Sequence, residues 1–99
     1  MLIMAIPVHR MTDLRVCEAT TIVVGQGNVY ANGLLVSVHG DPNTHGKGNT
    51  VATANNVFIN GLLVTKVGDT ALPDDLCIPL GEPHCVPRVT TGSGNVFTS

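Results

Sequence analysis

The sequence predicts an all-β fold assembled from three related units within one chain. Two observations carry that expectation. Gly and Asn punctuate short runs rich in Val, Ile and Thr, and one such run recurs in register along the chain. The first pattern disfavours helix and suits short strands joined by tight turns. The second implies units that stack on one another around a shared core.

The repeat is explicit. Gly27-Asn28-Val29-Tyr30-Ala31-Asn32-Gly33-Leu34-Leu35-Val36 returns 28 residues later as Asn55-Asn56-Val57-Phe58-Ile59-Asn60-Gly61-Leu62-Leu63-Val64. Each copy runs on to a Gly-Asp pair, Gly40-Asp41 and Gly68-Asp69. Within each copy Asn-Gly separates two apolar segments, the strongest short-range hairpin signal, because both turn residues need positive φ. A third copy opens at Gly94-Asn95-Val96-Phe97 and stops at the C-terminus. Its second half is expected at the other end of the chain, in Pro7-Val8-His9-Arg10-Met11-Thr12-Asp13, with Thr-Asp standing where the other units have Gly-Asp. The expected organisation is one domain over residues 1–99, with units at 27–41, 55–69 and 94–99 completed by 1–13. The two chain ends should then pair as strands and close the sheet, leaving no exposed edge.

Composition narrows the function classes. A chain of 99 residues is one domain. Apolar residues make up 43% but aromatics only 3%, so the core should be aliphatic and thin. Charged residues are 12%, the net charge is −2 and no Lys/Arg cluster exists, which removes the electrostatic basis for nucleic-acid or anionic-membrane binding. The apolar opening Met1–Ile6 lacks a basic region and is cut short by Pro7, so no signal peptide is expected and the chain should be made in a reducing cytosol. There, an odd set of three cysteines together with four histidines points to metal more than to a disulfide framework.

Counting from the repeat landmark locates the candidate donors. Eleven residues before Asn28, Asn56 and Asn95 stand Cys17, His45 and His84. Three equivalent positions holding thiol, imidazole and imidazole should converge around a rough threefold axis and supply three corners of a tetrahedron. A fourth donor is expected from the longest connection, which runs fifteen residues from Asp69 to His84 against four residues from Asp13 to Cys17 and from Asp41 to His45. Cys77 is the expected donor, far enough from His84 to approach from another direction, and its neighbour-to-ligand competitor is Cys85. The resulting site, Cys17, His45, Cys77 and His84 around one Zn2+, would be closed and structural, with iron as the other candidate ion. His9 and His39 fall in expected strands and read as packing or surface residues, and His39, standing where the second unit has Val67, reads as packing.

Catalytic motifs fail on inspection. Gly25-Gln26-Gly27 is followed by Tyr30 where a dinucleotide fingerprint needs Gly, and Gly46-Lys47-Gly48 lacks the hydroxyl residue of a phosphate loop. Nothing orients a Cys17–His45 nucleophile pair, and Asp41 and Asp69 read as turn residues. No enzymatic activity is expected.

The repeated Asn-Val-aromatic-x-Asn-Gly, the Gly-Asp closures and the scattered Cys and His resemble the PAAR-repeat family across essentially the whole chain. The Pro-Ala-Ala-Arg tetrad itself is absent: Leu35-Val36-Ser37-Val38 and Leu63-Val64-Thr65-Lys66 take its place, and Pro7-Val8-His9-Arg10 comes nearest. The resemblance implies a small cone-shaped β-structure with a zinc-clamped apex, the zinc held in that family by three His and one Cys. It further implies a membrane-piercing tip on the trimeric β-helical spike of a type VI secretion machine or a contractile phage tail. One monomeric cap per spike trimer, transient contact with the target envelope and a location at the virion baseplate or in a secreted spike follow from the same likeness. No fused effector domain is expected after residue 99. The competing readings are a zinc-stabilised protein-binding module without a puncturing role and a zinc hydrolase with one open coordination position.

Overall fold

The computed structural model describes residues 5–54 and 57–98; Met1–Met4, Ser99 and the landmark pair Asn55-Asn56 lie outside the described residues. The fold is all-β. Its regular elements are β1 (Ile6–Pro7), β2 (Tyr30–Ala31), β3 (Leu34–Leu35), β4 (Thr50–Val51), β5 (Phe58–Ile59), β6 (Leu62–Leu63), β7 (Thr70–Ala71), the four-residue helix α1 (Cys77–Leu80) and β8 (Phe97–Thr98). They pair antiparallel as β1–β8, β2–β3, β4–β7 and β5–β6.

Three of those ladders are the same structure repeated. Asn32 and Gly33 (φ 55° and 80°) and Asn60 and Gly61 (φ 52° and 82°) form the expected turns with positive φ at both central positions. The turns set Tyr30 opposite Leu35 and Phe58 opposite Leu63. The third ladder has no turn: it joins the two ends of the chain, with Phe97 opposite Pro7. One further hydrogen bond repeats in all three, from the amides of Val36, Val64 and Val8 to the carbonyls of Val29, Val57 and Val96, at 3.0, 2.9 and 3.0 Å.

Past these ladders the three strands meet each other in a closed ring. The amide of Ser37 donates to the carbonyl of His9 (2.9 Å), that of His9 to Thr65 (2.9 Å), and that of Thr65 to Ser37 (2.8 Å). All three residues are fully buried. A second tier follows, from Met11 to Leu35, His39 to Leu63 and Val67 to Pro7, at 2.8, 2.8 and 3.0 Å. Each strand therefore satisfies its inner edge against both neighbours, and the closed cycle exposes no inner edge.

After the ring each strand turns at its aspartate. Asp13, Asp41 and Asp69 accept with a carboxylate oxygen from the amide three residues earlier, on Arg10, Val38 and Lys66, at 2.9, 2.8 and 2.9 Å. Such side-chain-to-backbone bonds are what aspartate contributes to turns. The residue before each aspartate sits in the left-handed region: Gly40 at φ 93°, Gly68 at φ 94°, and Thr12 at φ 71°. A β-branched residue is strained there, and Thr12 holds its place because its amide donates to Thr21 and its turn is locked by the Arg10–Asp13 ion pair at 2.8 Å.

The interior is thin, as the composition predicts. Its apolar cluster is Val8, Ala31, Val36 and Val64 with Ile59 packed against it. Buried polar side chains outnumber buried apolar ones among the described residues. His9 is buried and hydrogen-bonded at both ring nitrogens: Nδ1 donates to the Thr91 carbonyl (2.7 Å), and Nε2 accepts from the Thr21 hydroxyl (2.5 Å). Thr21 Oγ1 in turn accepts from Arg15 Nε at 2.8 Å. The other strand histidine departs from expectation: His39 is exposed and serves as an acceptor, its Nδ1 taking the Ala52 amide at 3.1 Å.

Two outcomes follow. Thr12→Gly should raise stability by about 0.5–1 kcal/mol, read as a higher urea midpoint at unchanged slope, because the relief of strain exceeds the added unfolded-state entropy. Burial lowers the pKa of His9 from 6.5 to about 4, against the Thr91 bond and Asp13, with Arg15 adding to the burial effect and Asp41 opposing it. Between those values the unfolded chain binds a proton that the folded chain refuses, so stability falls as pH drops through the window. The full loss is about 3 kcal/mol. His9→Gln should be less stable at neutral pH and show a correspondingly shallower acid decline in urea titrations.

Candidate metal centre

The segments that leave the aspartate turns fold back to the same ring. Thr21, Thr50 and Val89 each donate an amide to the carbonyl of Asp13, Asp41 and Asp69 at 3.0 Å. Between those anchors run three excursions, 14–20, 42–49 and 70–88.

The first two share one geometry. Arg15 N–H donates to Ala19 O and Asn43 N–H to Lys47 O, both at 2.9 Å, which places Cys17 and His45 at the tips of matching turns. Residues in the left-handed region, Glu18 (φ 70°), Gly46 (φ 90°) and Lys47 (φ 52°), bend the chain there. Gly46 has no room for a side chain, since a Cβ would lie 2.2 Å from Asp75 Oδ2. The third excursion is longer and carries two buried polar residues. Asp74 N–H donates to His84 O (2.9 Å), so the two sit side by side although ten residues apart. Asp74 Oδ1 accepts from Leu76 N–H (2.9 Å), an Asx turn that starts α1.

These excursions bring Cys17, His45, Asp74 and His84 together, with one donor atom from each within 4.8 Å of all the others. Asp74 Oδ2 is the nearest common point: His45 Nδ1 lies 3.4 Å away, His84 Nδ1 3.5 Å and Cys17 Sγ 3.6 Å. A tetrahedral ion with bonds of about 2.0–2.3 Å separates its donors by roughly 3.3–3.7 Å. The three spacings to Asp74 therefore match such an ion, and the other donors, within 4.8 Å of one another, need only a small inward shift. His45 Nδ1 is buried without a hydrogen-bond partner, as a nitrogen kept for a metal would be. The imidazole rings of His45 and His84 stand 5.1 Å apart, tilted by 47°.

The electrostatics point the same way. Burial pushes the Cys17 thiol up, and the Asp74 carboxylate beside it adds to the effect, so without a cation the sulfur stays protonated. Burial opposes ionisation of Asp74 too, yet the Leu76 amide, the Asn43 amide and His84 hold its carboxyl below the usual carboxylate range. A dication with one thiolate and one carboxylate forms a neutral unit, which suits a buried place. Asn43 joins the turns behind the donors, giving Nδ2 to Asp74 Oδ2 (3.3 Å) and accepting the His45 amide on Oδ1 (2.9 Å). Such outer partners orient ligands.

The guanidinium of Arg15, buried two residues before Cys17, knots the three excursions together. It donates to the carbonyls of Asp41 (3.0 Å), Pro42 (3.2 Å) and Pro87 (3.5 Å), and to that of Gly48. Burial lowers its pKa to about 10, with Cys17, Asp41 and Asp74 opposing. It remains a cation at neutral pH.

Three of the sequence-predicted residues, Cys17, His45 and His84, are thus brought together, and Cys77 is not. Its sulfur is bonded to Cys85, so neither cysteine of that pair has a thiolate to give. The expectation of Cys77 as fourth donor is corrected to Asp74, the carboxylate that completes the group. Counting Cys and His alone passed over it. The signal was present in Asp74-Asp75 directly after Pro73, a turn-forming acidic pair inside the one long excursion.

A protein-family model, the PAAR motif, matches residues 1–48, a span that includes Cys17 and His45. No curated protein matches the chain.

Chain purified without chelators should carry about one equivalent of transition metal by elemental analysis, and Asp74→Ala, with the disulfide intact, should fall below roughly half of that. Undiminished metal in Asp74→Ala would remove the carboxylate from the donor set.

Proposed function

The chain belongs to the PAAR-repeat family, and from that premise we propose that it is the membrane-piercing tip of a trimeric β-helical spike in a contractile phage tail or a type VI secretion machine. The observation that carries the reading is a threefold apolar surface displayed by one polypeptide. Tyr30, Phe58 and Phe97 occupy equivalent positions in the three ladders and are 59, 57 and 51% exposed. Each is preceded by an exposed valine, Val29, Val57 or Val96, at 39, 39 and 38%. Every aromatic residue of the chain is in that set.

Exposed aromatic side chains repeated in register are costly in water and mark a partner surface. Pseudo-threefold symmetry within one chain suits a partner with true threefold symmetry and allows one cap per trimer. Strand ends beside those residues can extend the spike's own sheets by strand addition.

The role is mechanical. A sheath drives the spike outward, and the cap concentrates the force on the target envelope. A tip under load needs rigidity that a core of valine and alanine does not supply. In this reading Cys17, His45, Asp74 and His84 hold a Zn2+ that ties the three excursions into one body. Zinc accepts mixed nitrogen, oxygen and sulfur donors in a tetrahedron, and four donors from the chain leave no open position for catalysis. Such an ion contributes folding free energy directly.

Native mass spectrometry of the cap mixed with its trimeric spike should show one chain per trimer. Replacing Tyr30, Phe58 and Phe97 together by Ser should weaken binding at least about tenfold while leaving the bound metal unchanged. A complex of three caps per trimer would contradict the symmetry on which the reading rests.

A further inference from the structure

The middle of the long excursion that carries Asp74 and His84 has no apolar core to hold it. Between Leu72 and Val86, Asp74 and His84 are the only buried residues; Leu72, Ile78, Leu80 and Val86 are all exposed, Ile78 at 96%. Helix α1 buries none of its residues. Near Asp74 the backbone is held, with Leu72 N–H donating to Asn49 O (2.9 Å) and Asp75 N–H to Gly46 O (3.0 Å). Beyond it, residues 77–85 are tied by the donor cluster at His84 and by the Cys77–Cys85 disulfide. Their positions interlock. Cys77 N–H donates to the carbonyl of Asp74 (3.1 Å), Gly81 N–H to Cys77 O (2.7 Å), and His84 N–H to Gly81 O (3.0 Å), while Cys85 follows His84 directly. The disulfide thus closes the chain across the path between one donor and the other.

From this juxtaposition we propose that Cys77 and Cys85 form a redox-controlled lock on the metal centre, positioning residues that set how long the ion is held. The inference rests on the metal reading given above. The lock closes by exchange with a small-molecule disulfide: the two thiols lose two protons and two electrons, the sulfur–sulfur bond forms, and two small-molecule thiols are released. Closed, it limits the conformations that the 74–84 segment can visit when a donor lets go, so the donor rebinds before the ion escapes. Open, Asp74 and His84 sit at two ends of a segment without a core, and each dissociation is free to spread. The coupling is reciprocal, so a bound ion also protects the disulfide. A protein made where thiols stay reduced and used where they oxidise would fix its ion on arrival.

The test measures release of metal from the loaded chain to a chromophoric chelator, with and without a phosphine reductant, and maps the disulfide by peptide mass. Reduction should speed release at least about tenfold, and the metal-loaded protein should resist reduction longer than the metal-free protein. A double variant, Cys77→Ser with Cys85→Ser, should release quickly and ignore the reductant; the wild-type comparison stands if that variant folds poorly. Equal release rates before and after a mapped reduction would overturn the lock and leave the metal site standing. A chain that retains no metal in either state would overturn both.

Discussion

Everything in this molecule is arranged around three mutual amide-to-carbonyl bonds. His9, Ser37 and Thr65 each give a hydrogen bond to one neighbour and accept one from the other, so the inner backbone of all three strands is satisfied without any extended sheet. That closure explains why the strands are only two residues long. A strand that crosses a threefold centre faces each neighbour for a residue or two, then must leave. The aspartate turns are the exits, and they occur at the same place in each unit because the geometry of departure is the same. Small residues fill the centre for the same reason. The apolar cluster beside the ring is valine and alanine, while the imidazole of His9 is accommodated there by hydrogen bonds at both nitrogens.

The ring also determines where chemistry can happen. Each exit returns by a hydrogen bond from a backbone amide to the carbonyl of the aspartate that opened it, so the excursions start and end on fixed anchors. Donors at the tips of such excursions are placed by backbone geometry rather than by packing. Packing supplies little here. The inside of the excursion region is polar, with Arg15, Asn43 and the donors where another domain would have side chains of a core. Arg15 adds hydrogen bonds to carbonyl groups of two other excursions, at the cost of burying a cation beside Cys17 and Asp74. In the proposed role a buried dication neutralised by those two anions would supply the cohesion that aliphatic contact does not.

Much of this was legible in the sequence because the repeat is backbone logic, and backbone logic repeats faithfully. The Asn-Gly turns, the pairing of the chain's two ends and the meeting of Cys17, His45 and His84 all follow from register alone. What register could not convey was choice among side chains in the segment that has no counterpart. Cys77 was selected for its element, yet a thiol eight residues from another thiol has an alternative to metal, and Asp74 reaches the centre through an Asx turn that no repeat position announces. Arg15 was likewise invisible. It stands 28 residues before Asn43, at the same corner of a matching turn, but only the fold shows that this corner points inward. His39 failed in the other direction: it aligns with Val67, but its strand position faces solvent, and Ala52 rather than a core receives it.

The distribution of large side chains carries the last step. A chain this short of aromatics would normally spend them on its interior, where a ring removes the most apolar surface from water. Here Tyr30, Phe58 and Phe97 all lie outward, and the interior is built from residues too small to stabilise it well. The two facts have one origin. The space around the ring is filled by valine, alanine and polar side chains, so the fold finds its stability elsewhere, in closed backbone bonding, buried polar networks and a gathered set of donors. The aromatic positions are then released from any duty to the core. That they remain apolar and equivalent in all three units, when lysine or glutamate would serve solubility better, means their task lies beyond this chain. In the proposed role that symmetry would be met by three copies of a partner chain, and a single cap on a trimer would cover all three aromatic positions at once.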